Sequence, residues 1–397
     1  MKSLDKMIIN TSCILLVLLG MSVCLSEPFS RHCVKAVLVL AVLRCILNPG
    51  ILQRMKNIQI LLCGMACFIA VMFFSCIYGG MFLEVTSSYR FLMHYNMLLV
   101  PAVVLLVDNL EDVKRIVIGL FVGLLATDVY MIYQSYLGVF RPVSFLKGTI
   151  MLGTMLYVIL VPAMLIYSIK LNCGVKEKLF YLVCTLLSIL AFVCLNTRGA
   201  WIALFPVLIS ILIYYTSTTK KKLIAVFSVF VILGVGLLIS PTFSNRVHSI
   251  SNSSGQEQSV NERFLMWHSA IRMGVEHPLL GVGMGNYESE YQNHYISPLA
   301  KEPQVRHAHN NFIQFFAENG IVGLLSYLVL EVSIFLWSWR RRKNLYGMIL
   351  FTSSLALLLY SLTDYTFAGY GAMRLYWLLM GGCGVGVIGE DEGNTCH

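Results

Sequence analysis

The polar residues best suited to chemistry lie together where a long polar segment meets an apolar run. Arg306, His307 and His309 precede the apolar run that begins at Phe312. A neutral imidazole accepts protons near pH 7, so either histidine is a candidate general base. The N-terminus of a helix attracts anions, so a helix that begins here would favour a negatively charged substrate beside the base.

Metal and nucleotide chemistry are less favoured interpretations of the same segment. His307 and His309 form an H-x-H pair, but two ligands without a nearby third make a poor metal site. Glu288 and Glu290 form an E-x-E pair that can hold Mg²⁺, although a solvated pair of carboxylates is the simpler interpretation. No predicted strand precedes the G-x-G-x-G of residues 281–285, which argues against a dinucleotide fingerprint. We therefore predict neither a metal nor a cofactor.

The composition is that of a protein built into a membrane. Hydrophobic residues make up 57% of the chain and charged residues only 12%, and the mean hydropathy is +0.75. A soluble domain carries roughly 25% charged residues, and each spanning helix needs about 20 mostly apolar residues. Such runs recur along the chain, so we predict an all-α integral membrane protein.

Hydropathy divides the chain into about twelve spans, with ends defined to within a few residues. The first run is interpreted as a retained helix, because the residues after Ser26 show no small-x-small cleavage site. The cysteines lie mostly inside apolar runs without a C-x-x-C pair, which indicates packing residues. The predicted spans are 7–26, 33–47, 58–79, 91–107, 116–138, 149–169, 179–195, 199–215, 223–240, 312–338, 345–362 and 373–389.

Basic residues are distributed unevenly between the connections. The positive-inside rule assigns the connections rich in Lys and Arg to the cytoplasm. These connections contain residues 54–56, 114–115, 170–178, 220–222 and 340–343. We therefore predict that both termini are cytoplasmic and that residues 241–311 form one large outer loop. The net charge of +9 follows from this asymmetry and requires no nucleic acid as partner.

The outer loop is predicted to contain a helix. Residues 259–262 (Ser-Val-Asn-Glu) have the form of a capping box, and the apolar positions that follow recur at helical intervals. That apolar face could lie on the membrane surface or against the bundle. His277-Pro278 ends the helix, and the glycine-rich turn of residues 279–287 should fold tightly against the bundle.

Two arginines have both a structural and a functional interpretation. Arg198 lies between two apolar runs, either as a snorkelling anchor beside Trp201 or as a functional group. An ionisable group at membrane depth costs roughly 2.5–3.5 kcal/mol and is usually retained for function. Arg263 opens the loop helix, where the helix dipole disfavours a cation. A bound external anion would resolve that conflict. In the structural interpretation the side chain is solvated, and no bound anion is needed.

Three short motifs follow one another between residues 198 and 321. The first is Arg-Gly-x-Trp at residues 198–201. The second is Pro-Leu-Leu-Gly-Val-Gly-Met-Gly-Asn at residues 278–286, behind a helix led by an arginine. The third is His-Asn at residues 309–310, followed after nine residues by Gly-Ile. Residues 190–335 thus resemble the conserved half of the O-antigen ligase and polymerase superfamily.

The resemblance implies an architecture and a location. It implies a fold similar to that of the GT-C-type glycosyltransferases, with short helices in the outer loop. Residues 1–178 would then form N-terminal transmembrane helices, 179–338 the catalytic region, and 339–397 C-terminal transmembrane helices with a short cytoplasmic tail. The protein would lie in the inner (plasma) membrane with its active site on the periplasmic face.

The resemblance also implies a reaction. An O-antigen ligase transfers a glycan from undecaprenyl diphosphate to a sugar hydroxyl of lipid A–core, and one direct displacement implies inversion. The family's pattern selects His309, not His307, as the general base. It selects Arg198 and Arg263 as diphosphate ligands, whose planar guanidinium groups can stabilise the leaving group without a metal. Secondary candidates for substrate binding are Arg306, Asn310 and Arg90.

Three other functions remain open. A polymerase of the same superfamily would use the same residues to extend another lipid-linked glycan, but polymerases often have two large outer loops. An oligosaccharyltransferase acting on protein usually carries more soluble mass. A polysaccharide-lipid transporter would show charged or broken helices at the membrane midplane and two related halves. Asp128 is the one clear acidic residue that the sequence places deep in a predicted span.

Overall fold

A computed structural model provides the architecture of the chain. It describes residues 2–78, 93–139, 142–145, 150–170, 174–220 and 254–395, with the single residues 223, 227 and 231. Within these ranges the structure is helical and contains no strand, which confirms the predicted all-α class.

Thirteen α-helices are numbered here in chain order over the described residues. Short 3₁₀ segments cover Pro49–Ile58, Met93–Leu98 and Thr366–Ala368, and a π-helical turn covers Tyr291–Tyr295. The helices are α1 (Lys2–Leu25), α2 (Glu27–Leu47), α3 (Gln59–Tyr78), α4 (Leu99–Leu106), α5 (Leu110–Tyr136), α6 (Ile150–Lys170), α7 (Val175–Cys194), α8 (Arg198–Tyr215), α9 (Ser254–Glu276), α10 (Tyr287–Glu290), α11 (Asn311–Arg340), α12 (Leu345–Ser361) and α13 (Tyr370–Thr395).

The described helices contain eight segments that are long and apolar enough to cross a membrane. Two shorter apolar helical segments, Tyr95–Leu106 and Leu345–Ser361, accompany them. Eleven of the predicted spans overlap described helices, and the span predicted at 223–240 lies almost wholly outside the described residues. The multi-pass character is therefore confirmed, whereas the count of twelve and the GT-C likeness stay predictions.

The centre of the bundle is formed by its most deeply buried spans. The window of Tyr370–Gly389 in α13 is 94% buried and that of Gly153–Lys170 in α6 is 83% buried, against 39–56% for the other candidate spans. Helices α13 and α6 are therefore surrounded by protein, and the other six candidate spans present a face to their surroundings. Since lipid is as apolar as a protein core, both kinds of helix are apolar on most sides.

The helix predicted in the outer loop is present as α9, but its start was predicted wrongly. It begins at Ser254, before the presumed capping box, and ends at Glu276 as the His277-Pro278 signal predicted. The Glu262 carboxylate does not cap the helix, because it lies a turn or more inside it. Instead it is buried and accepts hydrogen bonds from the backbone N–H groups of Lys301 and Glu302.

The long helix α11 is broken at Gly320. This residue has φ 61° and ψ −159°, outside the helical region, so α11 consists of two helical parts joined at a kink. A Cβ atom at this position would lie 2.4 Å from the Leu279 backbone, which only glycine permits. The glycine of the third sequence motif thus lets the glycine-rich turn approach the helix backbone.

The glycine-rich turn repairs this break with backbone hydrogen bonds. Carbonyl groups of the turn accept hydrogen bonds from the N–H groups of α11 that the kink leaves unpaired. N–H groups of the turn donate to the α11 carbonyl groups that the kink leaves unpaired. Unsatisfied backbone groups inside a membrane would be costly, and these bonds remove that cost. The pairs are Ile321 to Pro278 (2.8 Å), Val322 to Leu279 (3.3 Å), Val282 to Ala317 (3.0 Å) and Gly283 to Glu318 (2.9 Å). The prediction that this turn packs tightly against the bundle is confirmed.

The side chain of Glu318 strengthens the same contact. It is 4% exposed, and its carboxylate accepts hydrogen bonds from the N–H groups of Gly285 (3.1 Å) and Tyr287 (3.4 Å). The turn is thereby fixed to α11 at several points.

Candidate active site

The central feature of the candidate site is a histidine–aspartate pair at the end of the bundle that α9 contacts. His309 Nδ1 lies 3.0 Å from Asp364 Oδ1. His309 immediately precedes the helix-capping residue of α11, and Asp364 lies in the turn between α12 and α13. The His309 side chain is 32% exposed and that of Asp364 only 13%, so the carboxylate lies behind an accessible imidazole.

Asp364 is held in its ionised form. Burial acts to raise the pKa of this carboxyl, but the hydrogen bond and charge of His309, with contributions from His307 and Tyr360, outweigh it and lower the pKa. Oδ2 accepts a hydrogen bond from the Tyr360 hydroxyl at 2.9 Å, and Oδ1 accepts one from the backbone N–H of Tyr365 at 2.9 Å.

The pairing assigns the protonation of His309. An ionised carboxylate accepts hydrogen bonds, so Nδ1 of the neutral imidazole carries the proton and donates it to Asp364. The other ring nitrogen, Nε2, then carries the free lone pair. This is the tautomer that a general base requires.

Two asparagines fix the backbone around His309, which has the left-handed value φ 50°. The Asn310 side chain caps α11 by accepting from the Ile313 N–H (3.1 Å), and its amide group donates to the Leu362 carbonyl (3.0 Å). Asn311 accepts from the Thr366 N–H at 2.8 Å. These bonds tie the start of α11 to the turn that contains Asp364. Both ends of the Asn310 amide are engaged in this role.

The residue between the two histidines is also held from two sides. The Ala308 N–H donates to Gln314 Oε1 at 2.7 Å, and its carbonyl accepts from Trp267 Nε1 at 2.8 Å. Trp267 belongs to α9, so the loop helix supports the histidine segment directly. This support holds His309 in a strained left-handed conformation, as is typical of functional sites.

Arg198 begins α8, and a close packing contact brings that helix start to the same turn. A Cβ atom on Gly199 would lie 2.5 Å from the Thr363 hydroxyl oxygen and 3.0 Å from its Cβ, so a larger residue would displace the Thr363 side chain. The hydroxyl oxygens of Thr197 and Thr154 are 3.4 Å apart, and Thr154 hydrogen-bonds to Tyr360. A chain of hydroxyl groups therefore links the start of α8 to Asp364, and the Arg198 side chain is exposed beside it.

Arg263 reaches the same region from the loop helix. Its side chain is half-buried on α9, and its positive charge acts on the Tyr360 hydroxyl. The structure thus brings Arg198, Arg263 and His309 around one turn, although they are far apart in the sequence.

The other candidate residues lie further out or outside the described chain. Arg306 is 80% exposed, with Nε 4.0 Å from Glu288 Oε1, so it faces the glutamate pair instead of the His309–Asp364 pair. Arg90 lies outside the described residues. The ring of His307 packs against that of His309, with centroids 4.4 Å apart.

Two residues of the site were not identified from the sequence. Asp364 and Tyr360 are four residues apart at the end of an apolar span, and neither belongs to one of the three motifs. A carboxylate just outside a span, in the connection after α12, is the signal that was available. Asp364 also supplies a third group near His307 and His309, so the premise that no third metal ligand lies nearby is wrong.

Comparisons with known proteins agree with the motifs. Residues 183–328 match the family model described as O-antigen ligase. An uncharacterized protein of Haemophilus influenzae is 27% identical over 169 residues, which is 39% of this chain and 42% of that protein. The family match contains Arg198, Arg263 and His309, whereas Asp364 lies beyond its end.

Proposed function

Because residues 183–328 match the family model described as O-antigen ligase, we propose that the protein is a membrane glycosyltransferase with a glycan on undecaprenyl diphosphate as donor. The proposed acceptor is a sugar hydroxyl of lipid A–core at the outer face of the inner membrane. The observation that carries the proposal is the His309–Asp364 pair, whose turn is approached by the Arg263 charge and by Gly199, the residue after Arg198.

His309 is the proposed general base. The accessible Nε2 would take the proton of the acceptor hydroxyl while its oxygen attacks the anomeric carbon. The imidazole becomes positively charged in this step, and the Asp364 carboxylate 3.0 Å from Nδ1 stabilises that charge. A single displacement of this kind inverts the anomeric centre.

Arg198 and Arg263 are the proposed ligands of the diphosphate. Negative charge grows on this leaving group as the glycosidic bond breaks, and guanidinium groups stabilise it by bidentate hydrogen bonds. Arg198 is the first residue of α8, and no side chain caps this helix. The N-terminus of α8 therefore adds a partial positive charge that favours the diphosphate. Neither a metal nor another cofactor is needed for this chemistry.

The position of the pair suits an amphipathic donor. A polyprenyl tail requires an apolar environment, whereas a diphosphate and a glycan require a polar one. His309 lies at the start of an apolar helix and is supported by the polar loop through Trp267. A donor could therefore keep its tail among the helices while its anomeric carbon reaches His309.

A polymerase that uses another lipid-linked glycan as acceptor remains the alternative within the superfamily. The transporter alternative is less well supported, although α11 is broken and Glu331, which was not singled out from the sequence, joins Asp128 as an acidic residue inside a span. The backbone groups freed at the break are bonded to the outer loop. Asp128 accepts a hydrogen bond from Ser188 at 2.6 Å, which ties α5 to α7.

The proposal is tested by His309→Ala in a purified system with undecaprenyl-diphosphate glycan and lipid A–core. A general base contributes about 10²–10⁴ in rate, so the variant should lose nearly all transfer. His307→Ala is the matched control and should be much milder. Near-normal turnover in folded His309→Ala would exclude His309 as the base. Transfer to a second lipid-linked glycan, without transfer to lipid A–core, would favour the polymerase.

A further inference from the structure

Three potential metal ligands meet at the candidate active site. His307, His309 and Asp364 each offer a ligand atom, and these atoms all lie within 4.8 Å of one another. Two of the three come from the histidine segment before α11, and the third comes from the turn after α12. Both segments are held in place by the capping and turn contacts of Asn310 and Asn311.

The spacing of the His309–Asp364 pair is close to that of two zinc ligands, and the third ligand atom lies within 4.8 Å of both. Zn²⁺ bonds of about 2.0–2.1 Å in tetrahedral geometry place neighbouring ligand atoms roughly 3.3 Å apart. His309 Nδ1 and Asp364 Oδ1 are 3.0 Å apart, so a small shift would admit the ion between them. Two histidines and a carboxylate with one open position are a known type of zinc ligand set.

We propose that His307, His309 and Asp364 form a site for a transition metal ion such as Zn²⁺, and that metal bound there inhibits glycan transfer. A metal on Nδ1 of His309 leaves the proton on Nε2, and a metal on Nε2 occupies the lone pair directly. In both cases the imidazole can no longer accept the proton of the acceptor hydroxyl. The inhibitory effect rests on the proposed function, whereas metal binding does not.

Charge around the cluster limits the affinity. The ionised Asp364 favours a cation, whereas Arg263, whose charge acts on the neighbouring Tyr360, opposes one. The site should therefore bind more weakly than a closed structural zinc site, as suits an ion that can be removed by a chelator.

Binding is measured on the purified, chelator-treated full chain without substrate. Co²⁺ absorption in the visible range reports the ligand geometry, and Zn²⁺ displacement of Co²⁺ reports the affinity. We expect one site per chain, and His307→Ala or His307→Gln should weaken it by at least about tenfold, since even supporting residues of metal sites contribute that much. His294→Ala, which changes an exposed histidine of the loop, is the matched control and should bind as the wild type.

Inhibition is measured in the transfer assay. Zn²⁺ should lower the rate of the wild type, and EDTA should restore it. The transfer rate of His307→Ala should be the same with and without added Zn²⁺. Unchanged metal affinity in both His307 variants, or inhibition that persists in them, would overturn the proposal.

The two proposals fail in different ways. If EDTA abolished transfer and Zn²⁺ restored it, the metal would be required, and both its inhibitory role and the metal-independent mechanism would be wrong. If His309→Ala lost metal binding but kept its transfer rate, the metal site would stand and the general base would have to be another group.

Discussion

Replacement of Asp364 by Asn tests the contact between Asp364 and His309, which the structure showed and the sequence did not. The substitution keeps the size of the side chain but removes its charge. The substitution leaves one amide oxygen, which can accept from the Tyr360 hydroxyl at the Oδ2 position or from the Tyr365 N–H at the Oδ1 position, but not from both. It also allows the amide N–H₂ to face Nδ1, which would move the imidazole proton to Nε2 and disable the base.

The magnitude follows from the contact that is lost. A hydrogen bond to a charged group contributes about 1.5–3 kcal/mol, and each 1.36 kcal/mol corresponds to a factor of about ten in rate. Loss of the 3.0 Å contact between Asp364 and His309 should therefore reduce turnover by about 10- to 150-fold. KM for the donor should change little, because Asp364 contacts the base and not the diphosphate ligands.

The assay is a double-mutant cycle in the purified transfer system. Turnover is measured for the wild type, Asp364→Asn, His309→Ala and the double variant, with Glu290→Gln as a carboxylate-to-amide control in the loop. Residues that act as one unit are not additive, so Asp364→Asn should cost almost nothing once His309 is absent. An equal loss in both backgrounds would show that Asp364 supports the fold and does not act through His309.

The remaining predictions concern the arginines, the glycine-rich turn and the topology. Arg198→Lys and Arg263→Lys should each lose about tenfold or more in transfer, because lysine supplies charge without the bidentate fork, and full activity in both would exclude that geometry. Gly281→Ala should lower the thermal stability in detergent by at least about 1–2 kcal/mol, since φ is +65° and the new Cβ would lie 2.4 Å from the α11 backbone. In a variant lacking the native cysteines, a reagent that cannot cross the membrane should label Ser253→Cys but not Lys221→Cys. The opposite labelling would reverse the predicted orientation.

The glycine substitution has a matched control in Gly138→Ala. Gly138 also has a positive φ of +80°, but a Cβ atom added there would meet no neighbour within 4 Å among the described residues. This variant therefore measures the cost of the backbone conformation alone. Equal destabilisation by both substitutions would mean that the close approach of the turn to α11 contributes nothing to stability.

Local sequence patterns predicted the all-α membrane class of the protein and its resemblance to one family. Long apolar runs require helices in a membrane, because a spanning segment must satisfy its own backbone hydrogen bonds. The three motifs predicted the superfamily that the match to residues 183–328 supports. The end of α9 was also predictable, since His277-Pro278 stops a helix by a local steric effect. The start of α9 was not, because the same short pattern that resembles a capping box also occurs inside a helix.

Only the tertiary structure decided which residues meet. Asp364 and His309 are 55 positions apart, and no periodicity of the sequence relates them. Their contact depends on how the turn after α12 packs against the start of α11, which Asn310 and Asn311 hold together. The sequence also did not show what Gly199 and Gly320 do, because each allows the close approach of a residue that lies far away in the chain. Helices follow from interactions between near neighbours, whereas a site follows from the packing of distant ones.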